Sequence, residues 1–114
     1  MPGRRRPDAG ELLQGTLPLL ILRVLQSGPN HGFAIARRIH LVSQEALRVE
    51  EGSLYPALHR MELAGWIEGA WGTTENSRRA RFYRLTRRGR KQLDRETERW
   101  HAIAGGIAAV LERG

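Results

Sequence analysis

Glu51-Gly-Ser-Leu-Tyr-Pro-Ala-Leu-His-Arg-Met-Glu-Leu-Ala-Gly65 reads as one short helix with both ends marked by residue chemistry and with an exposed face that is polar and aromatic. Ser53 is placed to cap it by accepting from a free amide of the first turn. Pro56 is tolerated near the start because first-turn amides have no helical partner. Gly65 supplies a left-handed stop. On a helical wheel Leu54, Ala57, Leu58, Met61 and Ala64 share one side, which leaves Tyr55, Pro56, His59 and Arg60 pointing away from the core. Leu63 breaks this division and is expected to touch a neighbouring element. A burst of arginine begins at Arg78. A polar and aromatic helix beside concentrated positive charge suits a reader of nucleic acid.

Working upstream, Ser43 to Glu51 is polar and separates this helix from another over about His31 to Val42. There Phe33, Ile35, Ala36, Ile39 and Val42 are expected to face inward, Arg37, Arg38 and His40 outward, and Asn30 is a possible cap. Before it, Leu17, Leu20, Ile21, Val24 and Leu25 form an apolar stripe over Thr16 to Gln26, ended by Ser27-Gly28-Pro29. Gly15 and Pro18 leave the start of that helix open, and Asp8 with Glu11 has capping-box spacing at an earlier one.

Downstream, Trp66 to Trp71 reads as a strand, Gly72 to Arg79 as a polar turn and Arg81 to Leu85 as a second strand. Thr86 is a plausible cap for a last helix of about 25 residues. In it Leu93, Thr97, Trp100, Ala104, Ile107 and Leu111 recur at alternating spacings of four and three, a heptad seam. Gly105 and Gly106 interrupt the seam at about 1 kcal/mol each relative to alanine, so another chain approaches closely there or the helix frays.

A chain of 114 residues is one small domain, and pairing with a second copy would add useful burial. The formal charge is +7, and eighteen of the nineteen Lys plus Arg residues are arginine, whose planar fork suits phosphates and guanine edges. Between Arg78 and Lys91 there are eight cations and no acid. Such density repels itself unless phosphates neutralise it, although a solvated basic face is the plainer alternative. Cysteine is absent, which excludes disulfides and thiolate zinc sites. The apolar run Leu19 to Leu22 is far below the ~20 residues of a membrane span, and no apolar segment follows the arginines at the start of the chain. A cytoplasmic, non-membrane protein is expected.

Three helices followed by a two-stranded hairpin is the order of a winged helix-turn-helix, with the third helix in the major groove and the hairpin as the wing. The fold class expected is therefore α+β, mostly helical, a winged helix-turn-helix with a C-terminal dimerisation helix. The expected division is a disordered basic arm over 1–10, the winged-helix unit over 11–86 and the dimerisation helix over 87–114. Three segments, His31-Gly-Phe33, Glu51 to Arg60, and Arg79-Ala-Arg-Phe-Tyr-Arg-Leu-Thr-Arg-Arg-Gly89, closely resemble the PadR family of bacterial transcriptional regulators. The resemblance covers about residues 11 to 100. Phe33 departs from it, since many members have tyrosine there. The resemblance implies a homodimeric repressor of an inverted-repeat operator on double-stranded DNA, with Ser53, Tyr55, Pro56 and Arg60 at matching positions of the DNA-facing helix.

The residues themselves point the same way. Tyr55 can pack on sugar or donate to phosphate, and His59 and Arg60 have the reach and donors for bases or phosphates. Arg78 and Arg79 fall at the wing tip and, with Arg81, are the DNA contacts expected of the wing, although strand alternation sends Arg81 and Arg84 to opposite faces. Plainer roles stand beside each of these. Tyr55 can anchor the helix against the wing, Arg60 can pair with Glu50 or Glu51, and the arm Arg4-Arg-Arg6 can enter a minor groove or simply hang free. Trp100 is either a dimer-core residue or a platform on which a small aromatic effector stacks, a role that resembles ligand-binding members of the family. Trp66 and Trp71 read as packing residues of the wing.

His31, His40, His59 and His101 lack metal-ligand spacing, and no nucleophile elbow or phosphate loop occurs, so neither a metal, a cofactor nor an enzyme is expected. Two rival functions remain in view. One is a basic RNA-binding or ribosome-associated module that grips phosphates without reading sequence. The other is a protein-interaction adaptor using the last helix.

Overall fold

The computed structural model describes residues 9–114, with side chains from residue 15 onward. The arm Arg4-Arg-Arg6 and the capping residue Asp8 lie outside the described residues. The elements run α1 (Ala9–Gln26), β1 (Asn30–His31), α2 (Gly32–Val42), α3 (Glu51–Leu63), β2 (Ile67–Thr73), β3 (Arg79–Leu85) and α4 (Arg87–Arg113). The three strands form one antiparallel sheet in the order β1-β3-β2.

Helix α1 is central, with Leu17, Ile21, Leu22 and Leu25 all buried. They meet Ile35 and Ile39 of α2, Leu54, Ala57, Leu58 and Met61 of α3, Ile67, Tyr83 and Leu85 of the sheet and Leu93 of α4 in one core. Its start, left open by the sequence, lies at Ala9, so both Gly15 and Pro18 sit inside the helix. Burial on several sides at once outweighs the ~3 kcal/mol that an interior proline costs, since each fully buried leucine or isoleucine returns about 1.5–3 kcal/mol.

Four expectations need correction. Asn30 does not cap α2: it pairs with Tyr83 as part of β1, its side chain accepts from the His31 amide, and His31 is the N-cap without a side-chain bond. The sheet therefore has a third strand that the residues did not announce, too short for any alternation to register. Phe33 and Val42 do not face inward but are mostly exposed, because α2 buries only the narrow face of Gly32, Ile35 and Ile39. Leu63, expected to touch a neighbouring element, is 75% exposed and is not among the core residues. Finally, α3 begins at Glu51, with Glu50 as N-cap and no side-chain cap, so Ser53 is a third helical residue rather than the cap. Pro56 then lies in the second turn and removes a bond to the Gly52 carbonyl, a loss offset by burying Leu54, Leu58 and Met61.

The end of α3 follows the expected chemistry. Gly65 has φ +80°, its amide donates to the Glu62 carbonyl, and the Trp66 amide donates to the Met61 carbonyl, which together form a Schellman stop. The end of α2 uses the same bonding without glycine: Gln44 and Glu45 adopt φ 56° and 68°, and Glu45 donates to the His40 carbonyl.

Thr86 joins the wing to α4. Its hydroxyl accepts from the Gly89 amide (3.0 Å), as the cap reading expects, and also lies within donating distance of the carbonyls of Gly65 (2.6 Å) and Trp66 (3.0 Å). Thr86→Ala is expected to cost about 1–2 kcal/mol, read as a lowered thermal midpoint by circular dichroism, while Thr86→Ser retains most of the stability. Equal stability of Thr86→Ala and wild type would mean that the junction does not depend on this hydroxyl.

Candidate nucleic-acid interface

The recognition face begins with local helix geometry. Along α3, Tyr55, His59 and Glu62 follow one line at i, i+4, i+7, and Pro56, Arg60 and Leu63 follow the next. Tyr55, Pro56, His59, Arg60 and Leu63 are all exposed, whereas Ser53 is half-buried on the first turn. Tyr55 is 46% exposed, and the hydroxyl end of its ring lies over Gly32, where a Cβ would come 2.8 Å from Cε1 and 3.0 Å from the hydroxyl oxygen. Glycine at the first residue of α2 thus lets the hydroxyl end of the Tyr55 ring rest closely against that helix, while about half of the side chain stays exposed on the α3 face.

The wing carries two distinct faces because side chains alternate along a strand. Ile67, Gly69, Trp71 and Thr73 of β2 lie opposite Leu85, Tyr83, Arg81 and Arg79 of β3. Toward the root this inner face is core, with Ile67, Tyr83 and Leu85 buried. Toward the tip it turns basic and aromatic. Burial holds the Tyr83 phenol above its usual range.

Arg81 reaches from this inner face to α3, where its guanidinium donates to the Glu62 carboxylate at 2.5 Å. That hydrogen bond, with the carboxylate's charge, raises the Arg81 guanidinium above its ordinary value. The bond sets the Tyr55–His59–Glu62 line of α3 beside the inner face of the wing. On the outer face Arg84 pairs with Glu68 at 2.6 Å, and both side chains are largely exposed. Two of the eight cations between Arg78 and Lys91 are therefore neutralised by carboxylates that precede them in the chain, which the local absence of acids had hidden. Arg78 and Arg79 are exposed at the tip and make no ion pair among the described residues.

The start of α4 adds a further electrostatic signal. Arg87, Arg88, Arg90 and Lys91 crowd its first turns, and the first turn holds no acid. Cations there oppose the helix dipole, at roughly 0.3–1 kcal/mol each at low salt, and a polyanion relieves that cost.

This order of elements, with an exposed polar helix against a basic wing, is the one in which the comparisons with known proteins agree. A sequence model of the transcriptional regulator PadR-like family matches residues 21–95. The chain belongs to that family. PadR-like regulators are DNA-binding transcription factors rather than enzymes, and the winged helix-turn-helix described above is their fold. Among solved structures, a transcriptional regulator from Clostridium thermocellum is 28% identical with a TM-score of 0.79, over 87% of this chain and 96% of that one. A PadR family regulator from Eggerthella lenta is also 28% identical, with a TM-score of 0.76 over 93% and 90% of the two chains. An uncharacterized protein X of Lysinibacillus sphaericus is 24% identical over 90% of this chain and 94% of its own. An uncharacterized 37.1 kDa protein in a transposon of Streptomyces fradiae is 36% identical over 78% of this chain, which spans only 24% of that larger protein.

Away from the recognition face, α4 leaves a row of large apolar side chains exposed: Trp100, Ile103, Ile107, Val110 and Leu111. Of the seam positions only Leu93 is buried within the chain. Gly105 and Gly106 do not fray the helix, and a Cβ at either would meet nothing within 4 Å. An open groove of about 610 Å³ lies between α1 and α4, lined by Arg23, Gln26, Leu93, Asp94, Thr97 and Glu98, and Trp100 follows Thr97 by one turn. Among the described residues no group of His, Asp and Glu could hold a metal, and no helix is long and apolar enough to cross a membrane.

Proposed function

We propose that this PadR-like regulator is a homodimeric repressor that binds an inverted repeat, with Tyr55, Pro56, His59 and Arg60 in the major groove and Arg78 and Arg79 on the backbone beside it. The observation that carries the reading is the Arg81–Glu62 bond, which ties the wing to α3 so that one DNA duplex can meet both. Ser53 sits at the base of this surface and Arg81 serves it from behind. Two copies joined through α4 would present their α3 helices about 34 Å apart, one helical turn of DNA. Occupying a promoter in this way blocks transcription.

Trp100 belongs to the dimer seam. A planar effector stacking there from the adjoining groove would release DNA only by favouring a dimer geometry that mismatches the half-site spacing, since only differential affinity shifts such an equilibrium.

Fluorescence anisotropy against the duplex upstream of its own gene and against a scrambled duplex, at several salt concentrations, tests the reading. A preference of about 10³ or more with a steep salt slope is expected. Arg60→Ala should lose about 10- to 100-fold on the preferred duplex and little on the scrambled one. Arg79→Ala should weaken both and reduce the salt slope by about one. Equal losses on both duplexes for both variants would count against base readout and favour the nonspecific RNA-type module, which RNA competition would then reveal.

A further inference from the structure

Trp71 is the large side chain of the wing that the core does not use. It is 60% exposed, although the adjacent root of the same face is buried. The Arg79 guanidinium carbon lies 4.6 Å from its ring centroid and that of Arg81 lies 5.9 Å away. Trp71 is the cross-strand partner of Arg81 and the diagonal neighbour of Arg79, so the three form a ladder along the inner face. The two arginines differ in what else they hold. Arg81 is committed to Glu62, and the space for its guanidinium exists because residue 69 is glycine: a Cβ there would lie 2.5 Å from Arg81 Nε. Arg79 makes no ion pair among the described residues, and its guanidinium lies over the ring.

We propose that Trp71 is a positioning residue for DNA binding, holding the Arg79 guanidinium extended over its ring on the α3 side of the wing, ready for the phosphate backbone or the minor-groove edge. The inference rests on the DNA-binding reading of this face. An arginine at a hairpin tip samples many rotamers, and fixing it before contact reduces the ordering cost of each bond it makes. The Glu62–Arg81 bond contributes by anchoring the opposite end of the ladder to α3, so Arg79 is registered against the recognition helix as well as against its own strand.

A double-mutant cycle on the full chain, read by anisotropy with a duplex the wild type binds, separates the possible roles. Trp71→Leu, whose thermal midpoint should stay close to wild type because the ring is exposed, is expected to weaken binding about two- to five-fold, with Trp71→Phe recovering part of the loss. In an Arg79→Ala background the Trp71→Leu change should cost nothing further, because the ring acts through that guanidinium. A further loss in that background would make Trp71 a direct DNA contact and overturn the proposal, as would full wild-type affinity for Trp71→Leu alone. If the wild type binds no duplex with salt dependence, the DNA-binding reading of the face fails first and this inference with it.

Discussion

Gly89→Ala is expected to destabilise the protein more than any other single methyl group added to it, to the point of little soluble folded material. A Cβ at residue 89 would lie 2.0 Å from the Trp66 carbonyl oxygen and 2.9 Å from Leu85 Cδ1. The carbonyl cannot simply retreat. It accepts from the Thr86 amide at 3.0 Å and lies 3.0 Å from the Thr86 hydroxyl, so moving it breaks the joint between wing and α4. Overpacking costs about 1–3 kcal/mol or more, and each lost hydrogen bond adds about 1 kcal/mol. For a domain whose whole stability is roughly 5–15 kcal/mol, the thermal midpoint should fall by about 15 °C or more. Gly52→Ala is the matched control: its Cβ meets nothing within 4 Å, and the helix should hold or gain up to about 1 kcal/mol. A Gly89→Ala protein with an unchanged melting curve would refute the close approach.

Ile107→Glu is expected to have the largest effect on DNA binding while leaving the fold of the single chain intact. Ile107 is a seam residue of α4, half-exposed, with Trp100, Ile103, Val110 and Leu111 around it. Among the described residues nothing covers this row, and under the proposed function a second copy does. A carboxylate there would be buried unpaired in the seam, at a cost of several kcal/mol. Sedimentation should show the dimer replaced by monomer, and affinity for a two-half-site duplex should fall by about 10²–10⁴ as bivalent binding is lost. Binding to a single half-site should change little. A variant that remains dimeric and binds as before would place the partner surface elsewhere.

Much of this was legible from residue pattern, and the places where it was not share a physical cause. Leu54, Ala57, Leu58 and Met61 read correctly as a buried stripe because helical spacing and apolarity agree there. Thr86 and Gly65 read correctly because capping and stopping are local chemistry. Ser53 misled because it is a good cap one turn too late: Glu50 already supplies the extended backbone that starts α3, and the turn needed no side-chain bond. Asn30 misled because it looks local and acts at long range, pairing with Tyr83. Phe33 and Val42 were placed inward on apolarity alone, a rule that fails on a helix whose buried face is only three residues wide. The pairing of Arg81 with Glu62 and of Arg84 with Glu68 could not be read from a charge run, since each carboxylate lies sixteen or more residues away. Exposure of Trp71 was hidden for the same reason: aromatics on strands usually signal packing, and only the register shows that its neighbours across the hairpin are arginines.

The knot of contacts at the Trp66 carbonyl has a mechanical consequence. With Thr86 and Gly89 clamped against it, the root of α4 is a fulcrum, and the roughly 36 Å of helix beyond Gly89 is a lever arm whose last turns no described residue of the same chain covers. A tilt of about 5° at the fulcrum, too small to disturb a single hydrogen bond there, carries the far end about 3 Å. Leverage also runs in reverse: a displacement of several ångströms imposed at the distal end arrives at the wing as a rotation of a few degrees, with the force multiplied. A small torque at the wing and a large excursion at the tail are thus two readings of one rigid bar.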